Sequence, residues 1–190
     1  VTPGILDALR RSGQRGLTLA PEAGSQELRF AINKKLSDER LLQVVAEAQA
    51  AGLDDLKLYY MLGLPDENEG DVEAIADLTD RARRILLEYG RPRGHLGALS
   101  VNLGVYVRKP GTPLAEREHP DFKTTRKRLQ RLTRKLQALP NVRVAVSSPD
   151  LARVQERLAL GGPDASALLV EALRSEHGDW RHTARRLRRG

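Results

Sequence analysis

The run Leu56-Lys57-Leu58-Tyr59-Tyr60-Met61-Leu62, broken at once by Gly63-Leu64-Pro65, decides the fold class. It has the length of a strand rather than a helix, and the glycine and proline end it sharply. A helix precedes it from Ser37 to Ala51: Ser37 caps, Asp38 and Glu39 suit the first turn, and Gly52 stops it. Leu41, Val44, Val45 and Ala48 form that helix's apolar stripe. A second helix follows over about 71–89, with Val72, Ile75, Leu78, Ala82 and Ile85 on one side. A strand between helices of this length is the repeating unit of a parallel sheet.

The same alternation continues on both sides. Gly16 to Ala20 is a short apolar run ended by Pro21, with a short helix before it (Thr2 to Leu9) and another after it, capped by Ser25 and running to Ile32. Leu99 to Val107 is a third run, ended by Lys109-Pro110-Gly111-Thr112-Pro113. Near-continuous apolar strands fit a sheet covered on both faces, or a barrel wall. Beyond residue 118 the pattern changes. Lys123 to Leu139 is an amphipathic helix with Leu129, Leu132, Leu136 and Leu139 as its stripe and six Lys/Arg beside it. Val142 to Val146 is a candidate fourth strand, and 150–160 and 164–176 are further helices.

Composition narrows the function classes. The chain has 190 residues, 40% of them hydrophobic, enough for one ordinary core. No apolar stretch is long enough to cross a bilayer and no leader is evident, so a cytoplasmic protein with no membrane partner is expected. There is no Cys, hence no thiolate site in this chain, and no pair of its four His has metal-ligand spacing. Charge is asymmetric: residues 1–118 carry a net −2 and residues 119–190 a net +9. That tail motivates a nucleic-acid partner, although aromatics are only 4% of the chain and offer no stacking platform.

Each apolar run ends in a short polar or Gly/Pro motif: Pro21-Glu22-Ala23-Gly24-Ser25, Gly63-Leu64-Pro65-Asp66-Glu67, and Arg108-Lys109-Pro110-Gly111-Thr112-Pro113. In parallel β/α architectures ligands bind at the carboxyl ends of strands, so the three loops are expected to converge on one ligand.

These residues resemble a known family. Leu17-Thr18-Leu19-Ala20-Pro21-Glu22-Ala23-Gly24-Ser25, with Leu28-Arg29 and Ile32-Asn33-Lys34, is similar to the fourth strand and following turn of radical S-adenosylmethionine (SAM) enzymes. The likeness is greatest to the branch often fused to a cobalamin-binding domain. Leu56 to Pro65 resembles that family's fifth strand, and Val105 to Pro113 its sixth. The chain departs from the pattern with Asp66, where Thr is usual, and Arg108, where Pro is frequent.

The resemblance implies an α/β fold: the C-terminal part of a partial (β/α) TIM-type barrel with parallel strands over 1–118, then a basic, mainly helical extension over 119–190. It implies SAM as cofactor, held in part by Glu22, Gly24, Ser25, Arg29, Met61, Leu62, Gly63, Val105 and Val107. Arg29 would meet the methionine carboxylate, or else pair on the surface with Glu27 or a nearby acid. For Tyr59, Tyr60 and Met61, core packing is expected of at least two. The parent reaction is reductive cleavage of SAM to a 5′-deoxyadenosyl radical at a [4Fe–4S] cluster. The family's CxxxCxxC ligands are absent from this chain, so they are expected in the remainder of its own polypeptide, and this segment alone is expected to be inactive. Cobalamin is a further possibility for the parent. The competing readings are an RNA-binding module and a degenerate scaffold.

Overall fold

The computed structural model describes residues 2–162 and 165–174. The expected helix over 164–176 falls partly outside them; its described part is Ala165–Arg174, and the Arg-rich end lies outside altogether. Four strands, β1 (Gly16–Glu22), β2 (Asp55–Leu62), β3 (Leu99–Val105) and β4 (Val142–Val146), form one all-parallel sheet in the order β1-β2-β3-β4. The helices are α1 (Pro3–Arg11), α2 (Gln26–Ala31), α3 (Asp38–Ala50), α4 (Glu69–Gly90), α5 (Phe122–Gln137), α6 (Pro149–Leu160) and α7 (Ala165–Arg174). The chain is therefore α/β, as expected, and the strand at 142–146 extends the same sheet.

Alternation along the strands decides what each face does. Leu56, Leu58, Tyr60 and Leu62 of β2 are buried, and their register partners Leu99, Val101, Leu103 and Val105 join them in the core. Leu41, Val44, Val45 and Ala48 of α3, Val72, Ile75 and Leu78 of α4, and Leu129, Leu132 and Leu136 of α5 cover this face. Each fully buried Leu contributes about 1.5–3 kcal/mol from apolar burial. The opposite face carries Thr18, Lys57, Tyr59, Ser100, Asn102, Arg143 and Ala145, all exposed or half-buried. The sheet is thus covered on one face only among the described residues, the arrangement of a barrel wall. The two-faced alternative is excluded by Lys57 and Asn102, polar side chains at the uncovered positions. Of the three residues Tyr59, Tyr60 and Met61, only Tyr60 enters this main core; Tyr59 is exposed and Met61 packs on a satellite cluster of Ala23, Leu28 and Leu64.

Several elements run differently from their expected bounds; β3, for one, ends at Val105 rather than Val107. β1 continues through Pro21 to Glu22, because Leu19 pairs with Leu58 and Glu22 with Tyr60, leaving a bulge between. A proline lacking its N–H is tolerated at a bulge and on an edge strand. α4 begins at Glu69, since Asn68 accepts from the Asp71 N–H while Asp71 accepts from the Asn68 N–H, a reciprocal cap.

Candidate functional site

Parallel pairing places the C-terminal ends of all four strands on one side of the sheet. There, on the helix-free face, a hollow of about 430 Å³ is walled by Glu22, Tyr59, Met61, Asn102, Gly104 and Ser147. Glu22 reaches it through a left-handed backbone (φ 72°) at the β1 bulge. Its half-buried carboxylate lies 3.5 Å from Lys34 Nζ. Gly104 leaves the floor open: a Cβ there would meet Tyr60 O at 3.6 Å and Met61 Cγ at 3.8 Å, ordinary contacts. The protein's own packing therefore does not demand a glycine at this position.

Behind Glu22 the loop is fastened from three directions. Ser25 Oγ accepts from Leu28 N at 3.1 Å, capping α2, and donates to Asp71 at the start of α4. Gly24 abuts α4 so closely that a Cβ would meet Asp71 O at 2.1 Å and Ile75 N at 2.5 Å. Arg29 is fully buried. It donates through Nε to Leu36 O (2.7 Å), through Nη1 to Gly24 O (2.7 Å) and Ala23 O (3.2 Å), and through Nη2 to Asp38. Asp38 is shared with Arg81 at 2.6 Å. The expectation of a surface pair with Glu27 is corrected, since Arg29 sits in the interior with Asp38. Burying a guanidinium is tolerable only where such partners satisfy it.

Among the described residues, the three strand-end loops do not line the hollow beside Glu22 together. Gly63 (φ 80°) donates its N–H to Glu67 Oε2 at 2.9 Å and packs on α5, where a Cβ would lie 2.9 Å from Thr125 Oγ1. It opens into a separate small recess with Val105, Tyr106 and His119. The Leu62 side chain is in the core, and Val105, its register partner, turns the same way. Val107 and Pro110 lie beyond β3 and do not line the hollow beside Glu22. Of the expected contacts, Glu22 and Met61 alone share it. Asn102 and Gly104 are not among the expected contacts, and Tyr59 is named there only as a core candidate, yet all three follow from counting in twos: Tyr59 shares a face with Met61, and an amide and a glycine interrupt an apolar strand at the matching positions.

Glu67, held against Gly63 and away from the hollow, is a perturbed acid. Burial pushes its carboxyl up to about 7, against the pull of Arg128 (3.1 Å) and of the Gly63 and Leu64 backbone N–H groups. The cations of α5 face the acids of α4: Arg128 and Arg131 bind Glu69, and Lys135 binds Glu73 at 2.6 Å and Asp77 at 3.8 Å.

Comparison with known proteins agrees with this architecture. A family model, described as the radical SAM superfamily, matches residues 1–79. Over those residues the chain is similar to the radical SAM superfamily. The matched radical SAM segment spans β1, β2 and the first half of α4. The chain is 35% identical over 78 residues to an uncharacterised protein of Methanocaldococcus jannaschii, covering 41% of this chain and 18% of that protein. It is 32% identical over 117 residues (61% of the chain) to proteins named tRNA-2-methylthio-N(6)-dimethylallyladenosine synthase from Ruegeria sp. and Cereibacter sphaeroides, covering 23% and 24% of them. The chain thus spans less than a quarter of the length of these relatives. The cobalamin expected from the resemblance finds no support in these matches.

The superfamily implies SAM and a [4Fe–4S] cluster. The hollow beside Glu22 suits an adenosyl group: its volume lies in the range of small-ligand sites, and a carboxylate, a phenol and an amide stand among apolar walls. The cluster finds no ligands here, because the chain has no cysteine and no cluster of metal-binding side chains occurs among the described residues. No helix among them is long and apolar enough to cross a membrane.

Proposed function

We propose that this chain forms one wall of the SAM-binding barrel of a radical SAM enzyme, with the cluster ligands supplied by other parts of the same polypeptide. The observation that carries the reading is the hollow at the strand ends, on a sheet face that no helix covers among the described residues. Glu22 would accept hydrogen bonds from the ribose hydroxyls or the ammonium, and Asn102 and Tyr59 would offer polar contacts to the adenosyl part. Met61 would pack on the adenine, and Gly104 would admit it. Gly24, Ser25 and Arg29 act as positioning residues, holding the loop that aims Glu22. SAM and a reduced cluster together would supply a hydrogen-abstracting radical; the protein binds, orients and excludes competitors.

The test is titration of S-adenosylhomocysteine, which has no sulfonium to cleave, into the full-length protein and its Glu22→Gln and Asn102→Ala variants. Affinity should fall on the order of tenfold in each, as expected when a hydrogen bond to a charged or polar group is lost. Unchanged affinity removes the hollow from the SAM site. Reductive SAM cleavage, or a stable [4Fe–4S] cluster, in the isolated chain overturns the assignment of the cluster ligands to other parts.

A second reading, RNA binding, draws on the relatives named for a tRNA modification and on the basic tail. The pairing of Arg128, Arg131 and Lys135 with α4 leaves less free charge on α5 for phosphates. A gel shift that weakens steeply with salt would support this reading, and no shift at low salt would remove it.

A further inference from the structure

A second hollow, of about 680 Å³, lies beyond the end of β3, between the segment at Arg108 and α6. Three guanidiniums line it: Arg108, Arg153 and Arg157. Arg108 is held by Glu156, its Nη2 at 2.9 Å and Nε at 3.2 Å from Oε1, while its backbone N–H donates to Oε2 at 3.3 Å. Glu156 is buried and commits both oxygens to that one residue. Arg153 and Arg157, one turn apart on α6, make no ion pair among the described residues. Two unpaired cations at this spacing repel, so the helix gains from an anion between them. The four charged groups leave a net of +2 in the hollow, the complement of a phosphomonoester dianion. Phe122 and Leu160 add apolar wall, and the space far exceeds a free phosphate.

We infer that this hollow binds an organic phosphate: Arg153 and Arg157 hold the phosphoryl oxygens, Arg108 completes the cradle, and Phe122 and Leu160 receive the organic body. Guanidinium forks match phosphate oxygens in geometry as well as charge. Calling the ligand a substrate rests on the reading above; the binding itself does not.

Calorimetric titration with phenyl phosphate, inorganic phosphate and phenol tests it, using probes that carry no adenosyl group, so that failure of the SAM reading leaves the result interpretable. Phenyl phosphate should bind more tightly than either comparator, and more weakly as salt rises. Combined Arg153→Gln and Arg157→Gln replacement should weaken it on the order of tenfold or more. The corresponding pair of Lys replacements should retain part of the affinity, and Arg134→Gln, an exposed cation of α5, should change nothing. Both replaced arginines reach solvent, and circular dichroism verifies the fold of each variant. Equal binding of phenol, equal loss in Arg134→Gln, or no binding of phenyl phosphate would overturn the site.

Discussion

Two glycines of the site region should behave oppositely. Gly24→Ala drives a methyl into the α4 backbone and should cost about 3 kcal/mol in urea unfolding. Gly104→Ala meets only ordinary contacts, so stability should move by about 0.5 kcal/mol or less while S-adenosylhomocysteine affinity drops. Affinity unaffected by Gly104→Ala would show that no ligand approaches that backbone. Glu67 supplies a pH signature. Its carboxyl titrates near 7 when folded and near 4.5 when not, so between those values the folded state holds the extra proton. Its contribution to stability is present below pH 4.5 and is lost as pH rises through 7. Thermal melts of Glu67→Gln should therefore lack that share of the decline, and an identical pH profile would refute the shift. Residues of this kind are where sequence reading falls short. Arg29 looked like a surface or ligand residue because nothing nearby in sequence announces that Leu36 and Asp38 fold back over it. Ser25 is legible as a helix cap, but its bond to Asp71, 46 residues away, has no local signal.

At the scale of elements, what periodicity and capping encode was readable. The strands at 56–62 and 142–146, the cap at Ser37 and the apolar stripes of α3 and α5 stand where alternation and helical spacing put them. The charge pattern of α5 cannot be interpreted from its own residues, because part of it answers the acids of α4, about sixty residues earlier. The N-terminus of α4 offers a graded test. Asn68→Ala removes one cap acceptor and should cost about 1 kcal/mol in urea unfolding. Asp71→Ala removes the reciprocal cap and the Ser25 anchor together and should cost more than Asn68→Ala. The reverse ranking would mean that the link from α4 to the Glu22 loop contributes nothing.

For the whole molecule, the decisive asymmetry is one covered face and one bare face. Among the described residues β1 pairs only with β2 and β4 only with β3, so both outer strands keep unpaired backbone groups. Such edges invite association. Light scattering on this chain should show concentration-dependent self-association that grows with salt, as exposed strand edges and a bare sheet face predict. A strictly monomeric chain at high concentration would mean the bare face needs no cover.

Spatial order in the sheet repeats order along the chain: Gly16 is registered with Asp55, Leu56 with Leu99, and Leu99 with Val142. A ribosome releasing this chain therefore delivers each strand beside the one already laid down, with one or two helices between deliveries. Growth can proceed by accretion at the newest edge, and no strand has to wait for a partner encoded far downstream.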